Sequence, residues 1–268
     1  MTAEISATLV KELRERTGAG MMDCKRALQE TNGDMESAIV LLREKGMASA
    51  AKRADRATTE GKVRYRLADN GSKGTMVAVG CETEPVSNNE EFLAYAKAVL
   101  DAVDANGVGA DSALEEQRIE LSAKLGENIA VVGAARFETV GGAHISAYAH
   151  PPADKFGALV HLRGGDDDLG RKLGMQIVSI RPRWIGRDDV PEAVVAAERE
   201  IYVNSDEVQS KPEQAREKIV EGMLNKRFFA ANVLVDQEWI HDSSKTVGQV
   251  LSEAGAEVLE FELFALAR

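Results

Sequence analysis

The sequence is poor in the side chains that perform chemistry. It holds two cysteines, Cys24 and Cys81, far apart and in no Cys-x-x-Cys pair. That argues against a disulfide framework and against a structural zinc site, and suits a reducing compartment. None of the four histidines, His144, His150, His161 and His241, has a partner at metal-ligand spacing. No apolar run approaches the roughly 20 residues that a membrane helix needs. The segment Met1–Ile5 lacks a basic stretch followed by an apolar one, so no signal peptide is expected. The expectation is a cytoplasmic protein without cofactor or resident metal.

Enzyme motifs are equally scarce. No Gly-x-Ser-x-Gly, His-Glu-x-x-His or Gly-x-Gly-x-x-Gly occurs. The stretch Gly165–Lys172 imitates a phosphate-binding loop, but Lys then Ser/Thr are missing after its second glycine. Its three aspartates would repel a triphosphate and suit a helix amino terminus instead. The Ser49-x-x-Lys52 match stands alone, without the companion motifs that give it meaning.

What the chain has in excess is negative charge, formally -11 over 268 residues. That disfavours nucleic acid as a direct partner, because each phosphate contact calls for a cation. The charge is uneven. Residues 1–66 carry 13 Lys and Arg against 10 Asp and Glu, while the remainder carries 20 against 34. A mildly basic amino-terminal part could meet an acidic protein surface.

Apolar periodicity and capping residues predict the layout. Three short helices fill residues 6–46, opened by Ser6 and Asp34, broken at Gly18-Ala19-Gly20 and ended at Gly46. A bundle of this size has a marginal core and is expected to lean on a partner or a neighbour. An Ala-rich helical or flexible linker spans 47–61. Strands are expected over Lys62–Leu67 and Thr75–Cys81, joined by a turn at Asp69-Asn70-Gly71. A long helix then starts with Asn88 and Glu91 as a capping pair, and another with Ser112 and Glu115.

The layout recurs about 83 residues on. His144–Tyr148 resembles the first strand, Gly157–Leu162 resembles Gly74–Val79, and an acid-led helix over Asp166–Ile180 follows. Prolines 191 and 212 open a helical hairpin, Thr246 with Gln249 caps a later helix, and Glu257–Leu266 alternates like a strand. The fold class is therefore α+β: a three-helix domain and linker (1–56), a first core subdomain (57–142), and a second (143–268) with a hairpin at about 190–230.

Two segments are specific enough to suggest a family. Leu13–Leu28 (LRERTGAGMMDCKRAL) and Met76–Phe92 (MVAVGCETEPVSNNEEF) resemble the two signatures of the elongation factor Ts family. Lys124–Ile129, Lys218–Gly222 and Ser244–Gln249 match further family segments, in the family's order. The resemblance implies an amino-terminal domain like ubiquitin-associated domains and a core of two related α+β subdomains with an inserted helical hairpin. It implies guanine nucleotide exchange on the GTPase domain of elongation factor Tu, with release of magnesium and GDP, and no catalysis of its own. Sequestering that partner with little exchange is the alternative.

Residue roles follow motif by motif. Thr83, Glu84, Pro85 and Val86 occupy the family's Thr-Asp-Phe-Val segment, implicated in magnesium dislocation; Glu84-Pro85 replaces an acid followed by an aromatic. Arg14, Thr17, Gly18, Ala19, Gly20, Met21, Met22 and Lys25 fall in the region that docks on the partner, while Leu13, Cys24 and Leu28 are expected in the core. Gln176 falls where the family often has a partner-facing histidine. Many members continue past the final strand with another helical module, whereas this sequence stops at Arg268. Members differ in whether they self-associate, and the resemblance leaves that open.

Overall fold

Ser6 and Asp34 cap their helices as expected: their side chains accept from Leu9 N at 3.2 Å and Ser37 N at 2.7 Å. The computed structural model describes residues 5–266; the reading of residues 1–4 as free of a signal lies outside them. Helices α1 (Ala7–Thr17), α2 (Met21–Glu30) and α3 (Met35–Arg53) bury Val10, Leu13, Cys24, Ala27, Leu28 and Ala38. Gly46 does not end α3, which runs on for seven residues into the expected linker. A Cβ on Gly46 would lie 3.0 Å from Ala123 Cβ. The glycine therefore allows α3 to cross closely over a core helix, and the small bundle obtains its support there.

Strands β1 (Glu60–Leu67), β2 (Lys73–Cys81) and β3 (Ala130–Glu138) form an antiparallel sheet in the order β1-β2-β3. Between β2 and β3 lie α4 (Glu84–Ser87), α5 (Glu90–Asn106) and α6 (Glu115–Leu125). A second antiparallel sheet has β4 (Ala143–Ala149), β5 (Phe156–Arg163) and, at the end of the chain, β8 (Glu257–Ala265), in the order β4-β5-β8. Helix α7 (Asp167–Ile180) follows β5.

The duplication extends to detail. First strands begin at Glu60 and Ala143, central strands at Lys73 and Phe156, in each case 83 positions apart. Each central strand meets a bulge in its third-strand partner at the same relative place, between Ala78 and Val79 and between His161 and Leu162. Alternation along the central strands sets the layers. Val77, Val79 and Cys81 pack under α5 and α6, with Phe92, Ala96 and Val99. Ala158, Val160 and Leu162 pack under α7, with Leu169, Leu173 and Ile177.

The opposite faces of the sheets meet each other, enclosing Val63, Met76, Ala78, Ile145, Ala147, Leu159 and Phe264. A Cβ on Gly74 would lie 3.0 Å from Leu159 Cδ1 and 2.4 Å from Ile145 Cγ2; one on Gly157 would lie 3.2 Å from Met76 Sδ and 2.6 Å from Val63 Cγ1. Gly74 and Met76 thus face Leu159 and Gly157 reciprocally, as a two-fold-related pair of units must. The result is a four-layer helix–sheet–sheet–helix sandwich.

The second unit carries an insertion between α7 and β8. It contains α8 (Glu192–Val203), α9 (Asp206–Gln209), α10 (Glu213–Met223) continuing through a π-turn at Leu224–Phe229 into α11 (Ala230–Asn232), the hairpin β6 (Glu238–Trp239)–β7 (Asp242–Thr246), and α12 (Val247–Glu253). The Thr246–Gln249 capping box is present as expected. The acidic run that imitates a phosphate loop opens α7: Asp166 caps Leu169 N at 2.8 Å and Asp168 pairs with Lys172.

Two caps differ from expectation. Asn89, not Asn88, caps α5, accepting from Glu91 N at 2.9 Å and Phe92 N at 3.3 Å, because Asn88 already terminates α4. Ser112 caps no helix; its hydroxyl donates to Gly109 O within a 3₁₀ turn that runs into α6.

Asp104, near the end of α5, pins that helix to the sheet. Its carboxylate accepts from Thr75 Oγ1 at 2.8 Å and Arg66 Nη1 at 3.3 Å, and pairs with Lys73 Nζ at 2.9 Å. Burial is the largest single influence and pushes its pKa up, but the bonds from Lys73, Thr75 and Arg66 together hold it below the usual value.

Two predictions follow from the packing and the charge. Gly74→Val should cost roughly 3 kcal/mol or more in urea unfolding. Gly222→Ala, in α10 with no neighbour near its added carbon, should be neutral or stabilise by up to about 1 kcal/mol. Equal effects of the two would refute the sheet-packing account. Asp104→Asn should destabilise near neutrality. Because the native pKa is depressed, that difference should be full above about pH 4 and fade as pH falls through the native value. A pH-independent difference would show that charge is not its source.

Candidate functional site

The turn between α1 and α2 is half-buried, with only Gly20 exposed, and it is tightly held. Gly18 closes α1 with φ of 68° and its N–H donates to Arg14 O at 2.7 Å. Thr17 Oγ1 donates to Leu13 O at 2.7 Å and accepts from Ala19 N at 3.3 Å, and Cys24 Sγ donates to Ala19 O at 3.7 Å. Leu13, Cys24 and Leu28 are buried, as the periodicity required. Met21 and Met22, next along the chain, are 47% and 62% exposed, a large apolar area to leave in water. Arg14 and Lys25 are also exposed.

The segment 83–86 leaves the end of β2. It is not an open loop: Glu84–Ser87 forms one helical turn with Pro85 near its start, where proline's missing N–H costs nothing. Thr83, Glu84 and Pro85 are exposed and Val86 packs partly beneath α5. The backbone before the turn is fixed by a residue from elsewhere. Glu127 accepts from Glu82 N at 2.9 Å, Thr83 N at 3.0 Å and Thr83 Oγ1 at 2.5 Å. Glu82 in turn accepts from Asn128 N at 2.6 Å, and Asn128 Nδ2 donates to Ala54 O and Arg56 O.

The structure links the two turns through α5 and α6. Gly18 abuts Lys124, whose Cε lies 2.5 Å from where a Cβ on Gly18 would be. Lys124 pairs at 2.7 Å with Glu91 in the first turn of α5, directly after the 83–86 segment. Between the bundle and α5–α6 lies a cleft of about 1140 Å³, lined in part by Thr17, Ala19, Gly46, Tyr95 and Lys124.

Gln176 does not join this surface. It is fully buried: its Nε2 donates to Gln237 Oε1 and Glu238 O, and its Oε1 accepts from Ile240 N at 2.9 Å. With its amide satisfied internally, it staples α7 to the β6–β7 hairpin. The expectation that it faces a partner is corrected accordingly.

Among the described residues, no three His, Cys, Asp or Glu side chains converge as a metal site, and no helix is long and apolar enough to cross a membrane. Residues that the motif reading passed over are Glu127, Asn128 and Lys124. The Lys124–Ile129 segment stood out as a family match, but only the fold shows that it holds the 82–83 backbone.

The site thus sits on a three-helix head docked against a duplicated α+β sandwich, with two backbone-stiffened turns between them. The family model described as elongation factor TS matches residues 82–268. Elongation factor Ts of Thioalkalivibrio sulfidiphilus is 41% identical, covering 96% of this chain and 90% of that protein. Elongation factor Ts of Saccharopolyspora erythraea is 42% identical, covering 99% of both. The chain belongs to the elongation factor Ts family, and its role lies in the elongation stage of protein biosynthesis.

Both cysteines support the site from beneath and should be chemically silent. Burial, with the Glu127 carboxylate second, pushes the Cys81 thiol up to about 12, and burial also raises Cys24. Since the thiolate is the nucleophile, a thiol reagent near neutral pH should label neither residue in the native protein and both in guanidinium. Rapid native labelling of Cys81 would mean that the strand end beneath the 83–86 turn opens in solution.

Proposed function

We propose that this chain is a guanine nucleotide exchange factor that binds elongation factor Tu with GDP and promotes release of magnesium and GDP. The observation that carries the reading is the 83–86 turn: exposed, apolar at Pro85, and anchored by three hydrogen bonds to one carboxylate. Family membership supports it.

The physics requires no reaction of the factor's own. A factor that binds the nucleotide-free GTPase more tightly than the loaded one must weaken nucleotide binding by the same ratio. Its contacts must favour a pocket with displaced magnesium ligands, because that ion neutralises the phosphates. A stiff protrusion suits this, since a flexible one would yield before the pocket did. In this reading Thr83, Glu84, Pro85 and Val86 press on the magnesium side of the pocket. Arg14, Thr17, Gly18, Ala19, Gly20, Met21, Met22 and Lys25 supply docking on the GTPase domain. Pro85 offers a smaller apolar wedge than an aromatic would, but its fixed φ makes the wedge rigid.

The test is release of fluorescent GDP from elongation factor Tu. Substoichiometric chain should accelerate release, and replacing Thr83–Val86 by Gly/Ser should lower the maximal rate by about tenfold or more while binding falls less. Tight binding without acceleration would instead establish the sequestering role, the reading favoured by the replacement of an aromatic by Pro85.

A further inference from the structure

Resting on that exchange reading, we propose that Glu127 is the positioning residue of the exchange turn, setting the direction in which α4 leaves the sheet. Pairing of β2 ends at Cys81 opposite Glu60 and at Gly80 opposite Ala130. The N–H groups of Glu82 and Thr83 therefore point past the last rung of the ladder, where no strand meets them. One oxygen of Glu127 accepts both, at 2.9 and 3.0 Å, and the other accepts the Thr83 hydroxyl at 2.5 Å. A carboxylate that takes two successive amides fixes the orientation of both peptide planes, and charge-assisted bonds of this type are the strong ones.

Glu127 is itself immobilised. Its carbonyl accepts from the buried Ser122 Oγ at 2.5 Å, on α6. The next residue, Asn128, is buried, donates its N–H to Glu82 and holds the carbonyls of Ala54 and Arg56 just past α3. One turn, 126–128, thus registers the exchange turn against both α6 and the chain segment leaving the bundle. An anchor serving the core alone would not also need to grip the exposed Thr83 hydroxyl.

The experiment compares Glu127→Ala with Glu127→Gln in the full-length chain. Glutamine keeps an oxygen for the two amides and can donate its own amide to Thr83 Oγ1, so it preserves the geometry without the charge. Two readouts are taken: the maximal GDP-release rate with its half-saturating concentration, and hydrogen exchange at the Glu82 and Thr83 amides. Glu127→Ala should lower the maximal rate about tenfold, shift half-saturation by no more than about twofold, and speed exchange at both amides by about tenfold. Glu127→Gln should keep the amide protection and most of the rate. The proposal is overturned if Glu127→Ala keeps the wild-type rate, or if Glu127→Gln loses as much as alanine does. Should the wild-type chain itself fail to speed GDP release, the exchange reading falls. The amide protection then still decides whether Glu127 holds the turn.

Discussion

The close approach of two sheets through paired glycines is the contact on which the rest of the molecule depends. Gly74 lies over Leu159 and Ile145, and Gly157 over Met76 and Val63, with no room for a side chain at either glycine. Each central strand is consequently buried on both faces, and the helices can cover only the outer ones. Interiors this dense transmit displacement rather than absorb it. Whatever leaves the end of β2 therefore starts from a fixed point. The 82–86 segment does so, and the Glu127 carboxylate carries the same constraint past the last strand rung.

The contrast between apolar and polar fixation is instructive. In the sandwich, position comes from shape: reciprocal glycines and branched side chains admit one register. At the surface, where apolar side chains would be exposed, position comes from hydrogen bonds to orphaned backbone groups. Glu127 and Asn128 serve the turn at Glu82–Thr83 and the carbonyls of Ala54 and Arg56. Unsatisfied amides at a strand end are costly unless water or a partner meets them, so meeting them with a carboxylate both stabilises and orients. The head is joined to the core by both means, Gly46 against Ala123 by shape and Arg43 against Glu116 by charge.

Much of this was legible from residue order, because much of it is local. Ser6, Asp34, Thr246 and the acid-led start of α7 announce their helices within a turn, where a capping side chain needs only its own neighbours. The repeat was visible too, since alternation and glycine placement recur at a constant offset. What escaped reading depends on contacts distant in sequence. Gly46 resembles a helix stop until Ala123 is seen beside it. Asn88 and Asn89 offer the same chemistry, and only the one-turn helix before them decides which is free to cap. Strand β3 and the β6–β7 hairpin have weak patterns because their partners, not their own alternation, define them. Gln176 reads as partner-facing from family position alone, which carries no information on its surroundings; its three partners lie 61 to 64 positions away. The turn residues Thr83–Val86 were found by family likeness, but the reason for their rigidity sits 44 positions later, in Glu127.

The two copies of the unit share a scaffold and differ in what they insert between the second and third strands. In the first, that connection is helical and short: α4 projects, α5 covers the sheet, and α6 receives the head. In the second, α7 covers the sheet alone and a long excursion follows, with its own apolar core around Val208, Val220, Leu224 and Phe228. A symmetric pair of sheets thus supports asymmetric attachments at opposite sides. For a protein whose proposed work is differential contact with two states of a partner, that arrangement has a physical advantage. Attachments with separate cores and caps can adapt one at a time, while the shared sandwich keeps their separation constant. Coupling between sites is carried by packed side chains and rigid elements, and the glycine-paired sheets form such a packed connection between the two units.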